Sequence, residues 1–339
     1  LDQTLALVRT EARLGDHDDG VGARWLGRRE RRDVALADAV EPHVDVVDPG
    51  ADPRELIDLG HAARKRGDHG IAFAGFNVVD IHALSAETGL PGSGILVFVF
   101  QAEALGPERV HTVMMPSRHT SGLSIELAQD QAVNLGVDHR VISIEPAFEA
   151  LLTLLEPSFF GREADVTEEN LQARARSNLV MALSNKFGWL PLVTSNKSEL
   201  AVGYSTIYGD MAGGFAPLLD CSKTRVYELA RYRNTISPAI PESVITRPPS
   251  AELRPDQVDQ DSLPPYELLD QVLQRYVEQD WSVEQIVADG FDEAMVRRVA
   301  NLVLINEYKR RQGPPGVRIT HRAFGRDRRY PITSGWRDE

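Results

Sequence analysis

PLVTSNKSELAVGYSTIYGDMAGG, residues 191–214, is the stretch on which the fold turns. Trp189 to Val193 is apolar and too short for a helix, and it reads as a buried strand. Thr194-Ser195-Asn196 interrupts it with hydroxyl and amide side chains of the kind that cap helices. Lys197 to Val202 then resumes a helical pattern. Strand, polar turn and helix start, in that order, describe the carboxyl end of a strand in an open parallel sheet, where ligands bind. A helix N-terminus there favours anions, yet Glu199 places an acid in the same first turn. Taken alone, Glu199 admits two accounts. It is either a carboxylate holding Mg²⁺ against substrate phosphates, or one that only complements the helix dipole.

Working outward, Val110 to Met115 and Arg140 to Ile144 read as strands around a helix over Leu123 to Leu135 that stops at Gly136. That βαβ unit predicts an α/β fold, a parallel sheet with helices on both faces. Ala147 to Leu155 reads as a further helix. Thr167 is expected to cap a long helix with Glu168 and Glu169 in its first turn. Along it Asn170, Arg174 and Asn178 recur at every fourth residue, a polar stripe that is either the wet side of the helix or a face overlooking the crevice. Ser222 caps a helix that opens with Lys223, the wrong charge for that end. Such a lysine either serves an anion or lies on the surface. Residues 238–265 are too polar and proline-rich for a packed core and read as a lid or a disordered segment. Glu267 to Val277, Val283 to Asp289 and Glu293 to Glu307 then predict a C-terminal helical extension.

The 339 residues suffice for one large domain or two modest ones. The net charge of −13 argues against a nucleic-acid surface spread over the molecule. The basic residues from Lys309 to Arg337, opposed by Asp327 alone, are a local exception. The single cysteine, Cys221, excludes an internal disulfide framework and fits a reducing compartment. No apolar run reaches transmembrane length and the amino end lacks a signal-peptide pattern, so a soluble cytoplasmic protein is expected. The chain opens on Leu1 rather than Met, as a fragment would.

Residues 1 to about 90 show little periodicity. Residues 54–64 suggest a helix and 70–76 a strand, while His17, His43, His61 and His69 lack metal-ligand spacing. Gly89-Leu-Pro-Gly-Ser-Gly94 precedes Ile95-Leu-Val-Phe-Val-Phe100. A phosphate cradle needs a helix after its glycines, whereas the β-branched and aromatic run predicts a strand.

Several stretches together resemble the synthetase domain of NAD synthetases, enzymes of the adenine-nucleotide α-hydrolase (ATP pyrophosphatase) type. They are MMPSRHTS, DVTEENLQARAR, TSNKSELAVGYST with YGDMAGGF, KTRVYELARYRN, RPPSAELRPDQVDQDSLPPYE, and NEYKRRQ with the tail RAFGRDRRYPIT. The likeness runs from about Ala104 to the carboxyl end. It implies ATP-dependent amidation of deamido-NAD: ATP adenylates the nicotinic-acid carboxylate with loss of pyrophosphate, and ammonia then displaces AMP. By motif, Thr194, Lys223 and Ser250 would contact ATP. Asn170, Arg174, Glu199, Asp210 and Lys309 would face deamido-NAD, with Glu199 also holding Mg²⁺. Lys309 would reach across a homodimer. Ammonia would arrive free or from a glutaminase absent from this chain, and neither nucleic acid nor membrane is an expected partner.

The family's Ser-Gly-Gly-x-Asp-Ser loop is replaced here by Gly89 to Gly94. Ser93 stands where the Mg²⁺-binding aspartate belongs and Pro91 removes a backbone N–H. Such losses would cost roughly three orders of magnitude in rate. The alternative to an active synthetase is therefore a dinucleotide-binding homologue that cannot adenylate. Residues 1–103 are expected to be a divergent, truncated or out-of-frame amino-terminal region, in part disordered, and 104–339 the synthetase domain.

Overall fold

A computed structural model describes residues 82–87 and 92–335 of the chain. The helix and strand expected over 54–64 and 70–76, and the four histidines before residue 70, lie outside the described residues. Strands β1 (Ala83–Glu87), β2 (Val110–Met114), β3 (Asp138–Val141) and β4 (Leu190–Leu192) form a parallel sheet in the order β3-β2-β1-β4. The chain winds outward from β1 to β3 and returns to add β4 on the other side of β1. The switch point, and hence the ligand crevice, lies at the carboxyl ends of β1 and β4. Ser85 pairs with Leu192, so the carboxyl ends of β1 and β4 lie side by side.

Helices α1 (Gly92–Leu105) and α2 (Gly122–Leu135) make the crossovers β1–β2 and β2–β3. Helices α3 (Glu145–Phe159) and α4 (Val166–Phe187) return the chain to β4. After it come α5 (Lys197–Val202), α6 (Lys223–Ile236) and α7 (Glu242–Thr246). Leu96, Val97 and Val99 of α1 pack with Leu127 of α2 and with Val226, Leu229 and Ala230 of α6. On the other face Leu84, Val113, Ile144, Ala175, Val180 and Trp189 make a second core. Helices α8 (Tyr266–Leu273), α9 (Val283–Ala288), α10 (Glu293–Ile305) and α11 (Glu307–Arg310) form the C-terminal helical extension. Their core includes Leu200 and Val202 of α5. This is the α/β architecture that the sequence predicts.

Three local expectations are corrected. Ile95 to Phe100 is not a strand but the interior of α1, with Leu96, Val97, Phe98 and Val99 at 0–1% exposure. A helix covered by a sheet and by a second helix is apolar all round and shows no helical period, so packing overrides β propensity. Asp165, not Thr167, caps α4: its carboxylate accepts the Thr167 N–H at 2.7 Å, and Glu168 accepts the Asp165 N–H at 2.8 Å. The segment 238–265 is packed rather than loose, with Ile240, Val244, Ile245 and Leu263 buried. Helix α1 spans residue 103, and β1, which precedes it, is an inner strand of the sheet.

Because Phe98 is fully enclosed, Phe98→Ala should cost about 3–5 kcal/mol in urea unfolding. A loss below about 1 kcal/mol would mean that α1 is not buried as described.

Candidate active site

Past β4, Thr194 is half-buried and Asn196 caps α5. The Asn196 Oδ1 accepts the Glu199 N–H at 3.0 Å, and Glu199 Oε2 accepts the Asn196 N–H at a longer 3.4 Å. The next three residues are polar and yet buried: Lys197, Ser198 and Glu199 are 3%, 0% and 8% exposed. Buried charge must be partnered, and here each side chain grips a different element. Lys197 Nζ donates to Glu278 at 2.7 Å, to Thr320 Oγ1 at 2.7 Å and to the Arg322 carbonyl at 3.1 Å, and lies 2.8 Å from Asp220. Ser198 donates to Asp270 of α8 and accepts the Lys223 N–H at 2.8 Å. Glu199 Oε1 accepts from Lys223 Nζ at 2.8 Å.

Lys223 is completely buried, which excludes the surface reading, and the anion it serves is Glu199. Burial alone would lower its pKa, but the Glu199 and Tyr227 side chains outweigh that and raise it, so the ammonium stays charged. Its Nζ also lies 5.2 Å over the Tyr266 ring. Tyr266 donates to Asp259 Oδ2 at 2.8 Å, while Asp259 Oδ1 is buried without a partner. Burial raises the Asp259 carboxyl and Glu199 adds to this, against the pull of Lys223.

The residues assigned to the dinucleotide gather around the turn at 203–210. Asn170 Oδ1 accepts from Thr206 Oγ1 at 2.7 Å, and Arg174 Nε donates to the Ile207 carbonyl at 3.3 Å. Asp210 accepts the Thr206 N–H at 2.6 Å. Lys309 Nζ donates to the carbonyls of Gly203 and Ser205, both at 2.7 Å. Gly209 lets the turn lie flat on α4, since a Cβ there would sit 2.9 Å from Ala173. Asp210 is within electrostatic reach of both Glu199 and Lys309, which joins this cluster to the Glu199–Lys223 pair. Surrounding protein pushes the Asp210 carboxyl up to about 6, opposed by the Thr206 N–H. Asp210 is exposed, so water screens part of this and the shift is upward but smaller than burial alone would give. Asn178 is exposed and off the site.

Ser250 is buried in the segment that crosses from α7 to α8, and its Oγ accepts the Glu252 N–H at 3.1 Å. Sequence reasoning missed Asp259, Tyr266, Asp270 and Glu252, acids and a phenol scattered through polar text with no local period to mark them. Lys197 could have been found, since a lysine at the first position of a helix opposes the dipole just as Lys223 does. Part of the basic tail is paired within the chain: Arg318 pairs with Asp327 at 2.8 Å, and Arg322 and Arg328 both pair with Asp280. Among the described residues no group of three or more His, Cys, Asp or Glu side chains converges on a metal position. Glu199 Oε2 takes a long 3.4 Å bond from the Asn196 N–H, which leaves it lone pairs of the kind that suit a hard cation.

Lys223→Met should destabilise the chain by about 3 kcal/mol, because it strands the Glu199 carboxylate. Glu199→Gln combined with Lys223→Met should recover at least half of that loss in urea unfolding. Additive losses would mean that the two groups are not paired.

The sequence profile of the family described as NAD synthase matches residues 87–313. The glutamine-dependent NAD(+) synthetase of Acinetobacter baylyi is 56% identical over 255 residues, covering 74% of this chain and 47% of that protein. The protein of that name from Thermotoga maritima is 52% identical over 245 residues, covering 72% and 42%. The chain thus spans about half the length of the curated relatives it matches. In structure it is similar to a glutamine-dependent NAD(+) synthetase from Cytophaga hutchinsonii, with a TM-score of 0.63 at 20% identity over 76% of this chain and 51% of that one. It is also similar to the NMN synthetase of Francisella tularensis, with a TM-score of 0.58 at 20% identity over 78% and 96%. Both structures share the fold. The matched stretch begins at the last residue of β1 and runs past α11, through Asn170, Arg174, Thr194, Glu199, Asp210, Lys223, Ser250 and Lys309: the chain belongs to the NAD synthase family.

Proposed function

We propose that the chain amidates the nicotinic-acid carboxylate of deamido-NAD at the expense of ATP. The observation that carries this is the buried Glu199–Lys223 pair beside the switch point of the sheet, joined electrostatically to Asp210 and Lys309. Thr194, Lys223 and Ser250 take the ATP side of the crevice. Asn170, Arg174, Glu199, Asp210 and Lys309 take the dinucleotide side. Mg²⁺ held by Glu199 supplies charge neutralisation of the triphosphate. The chain's own contribution is positioning: two anions, a carboxylate and a phosphate chain, must be brought into line against their mutual repulsion. A carboxylate oxygen bonds to the α-phosphorus as pyrophosphate leaves. Ammonia then bonds to the acyl carbon, AMP leaves with the bonding pair, and the nitrogen sheds a proton. The nitrogen source is free ammonia or glutamine through a glutaminase, and the working unit is a homodimer in the cytoplasm.

The reading of a homologue unable to adenylate rests on the sequence of residues 89–94. Against it, a strand, β1, precedes that stretch and a helix, α1, opens at Gly92, the flanking elements a phosphate cradle requires. The active reading is preferred. The test mixes the protein with deamido-NAD, ATP, Mg²⁺ and ammonia and follows AMP and NAD together. Equal yields of both are expected, and dinucleotide binding without AMP would select the other reading.

A pH profile probes Asp210. Its carboxylate should ionise between pH 3.8 and about 6, giving activity an acid limb in that window that Asp210→Asn removes. The effect on stability has the opposite sense. A folded-state pKa above the unfolded one stabilises most at low pH, and that contribution fades as pH rises through the folded value.

A further inference from the structure

We propose that Glu252 is a positioning residue of the nucleotide site, latching residues 247–259 to the start of α2 and so holding Ser250 in place. This rests on the reading of Ser250 as a contact to ATP. Glu252 is 5% exposed and adopts φ 50, a left-handed backbone that glutamate rarely takes. Such a backbone persists where surrounding contacts over-determine it, and these do. The carboxylate accepts from Ser124 Oγ at 2.7 Å, Ser121 Oγ at 2.9 Å and the Ser121 N–H at 3.3 Å. Arg247 adds a donor at 2.8 Å. Glu252 therefore supplies, from more than 120 residues away in sequence, the anion that the N-terminus of α2 favours.

The other side of the segment is tied to α4. Gln172 Nε2 donates to the Leu253 carbonyl at 2.8 Å, and Gln257 takes the Leu253 N–H at 2.8 Å while reaching Glu169 at 3.2 Å. Helices α2 and α4 cover opposite faces of the sheet, so the segment bridges them across the carboxyl edge of the strands. Arg176 lies at the same edge, donating to the Met115 carbonyl at 2.9 Å, just past the end of β2, and within electrostatic reach of Glu252. Ser250 is fixed through the Glu252 N–H, so the residue that forms the latch is also the one that orients the serine.

Glu252→Gln keeps the shape and removes the charge. In the full chain it should raise hydrogen exchange of residues 248–258 at least tenfold while leaving α10 unchanged. It should raise the KM for ATP about tenfold, as expected for losing a charged hydrogen-bond acceptor, with the KM for deamido-NAD within about twofold. Ser250→Ala should match it, and the double variant should be no worse than the poorer single one. Unchanged exchange overturns the latch, and multiplied KM effects overturn the route through Ser250. If the unsubstituted chain binds no ATP, the nucleotide reading fails with the positioning role, while faster exchange in Glu252→Gln would still uphold the latch.

Discussion

Burying three polar side chains in one helical turn obliges the rest of the chain to come to them. Lys197, Ser198 and Glu199 cannot keep water as a partner, and an unpaired ion in that position would cost several kcal/mol. Asp220, Glu278 and the Thr320 hydroxyl answer the first, Asp270 the second, and Lys223 the third. Elements more than 100 residues apart in sequence are thereby fixed relative to the end of β4. Asp220 also accepts the N–H groups of Ile319 and Thr320, at 2.8 and 2.7 Å, so the tail is bound to the same point twice.

The crevice follows from that turn and from the strand order. A sheet wound 3-2-1-4 opens at its switch point, and the turn after β4 is one wall of the opening. The stretch from Gly203 to Asp210 lies on α4, and its backbone carbonyls hold Arg174 and Lys309. The segment from Arg247 to Asp259 joins α2 to α4 over the strand ends. Each wall is thus held by side chains aimed at backbone groups, the arrangement that keeps a polar cleft rigid without filling it.

Within the NAD synthase family, the chain's likeness to its curated relatives covers about three quarters of its own length and about half of theirs. The matched part starts at the end of an inner strand, so β1 and α1 belong to the same α/β unit as the motifs that follow. The arginine-rich tail reads as a charged patch only when taken alone. Arg322 and Arg328 pair with Asp280 and Arg318 with Asp327, and Arg329 reaches the Gly325 carbonyl. No helix among the described residues is long and apolar enough to cross a membrane.

From the residues alone came the parallel α/β class, a capping turn at Thr194-Ser195-Asn196, the helix opened by Lys223 and the helical extension, because caps, glycine stops and apolar periods are local chemistry. The resemblance added an assignment of residues to the substrates, and the fold brings Asn170, Arg174, Asp210 and Lys309 around one turn. Tertiary structure alone decided the rest. It turned the β-branched run of α1 into a helix by covering it on two sides, and it named Glu199 as the anion of Lys223. It also buried Asp259, Asp270 and Glu252, whose partners lie up to 131 residues away. A side chain carries its own propensity and charge in the sequence, but the group that will neutralise it is chosen only when the strands are laid in order.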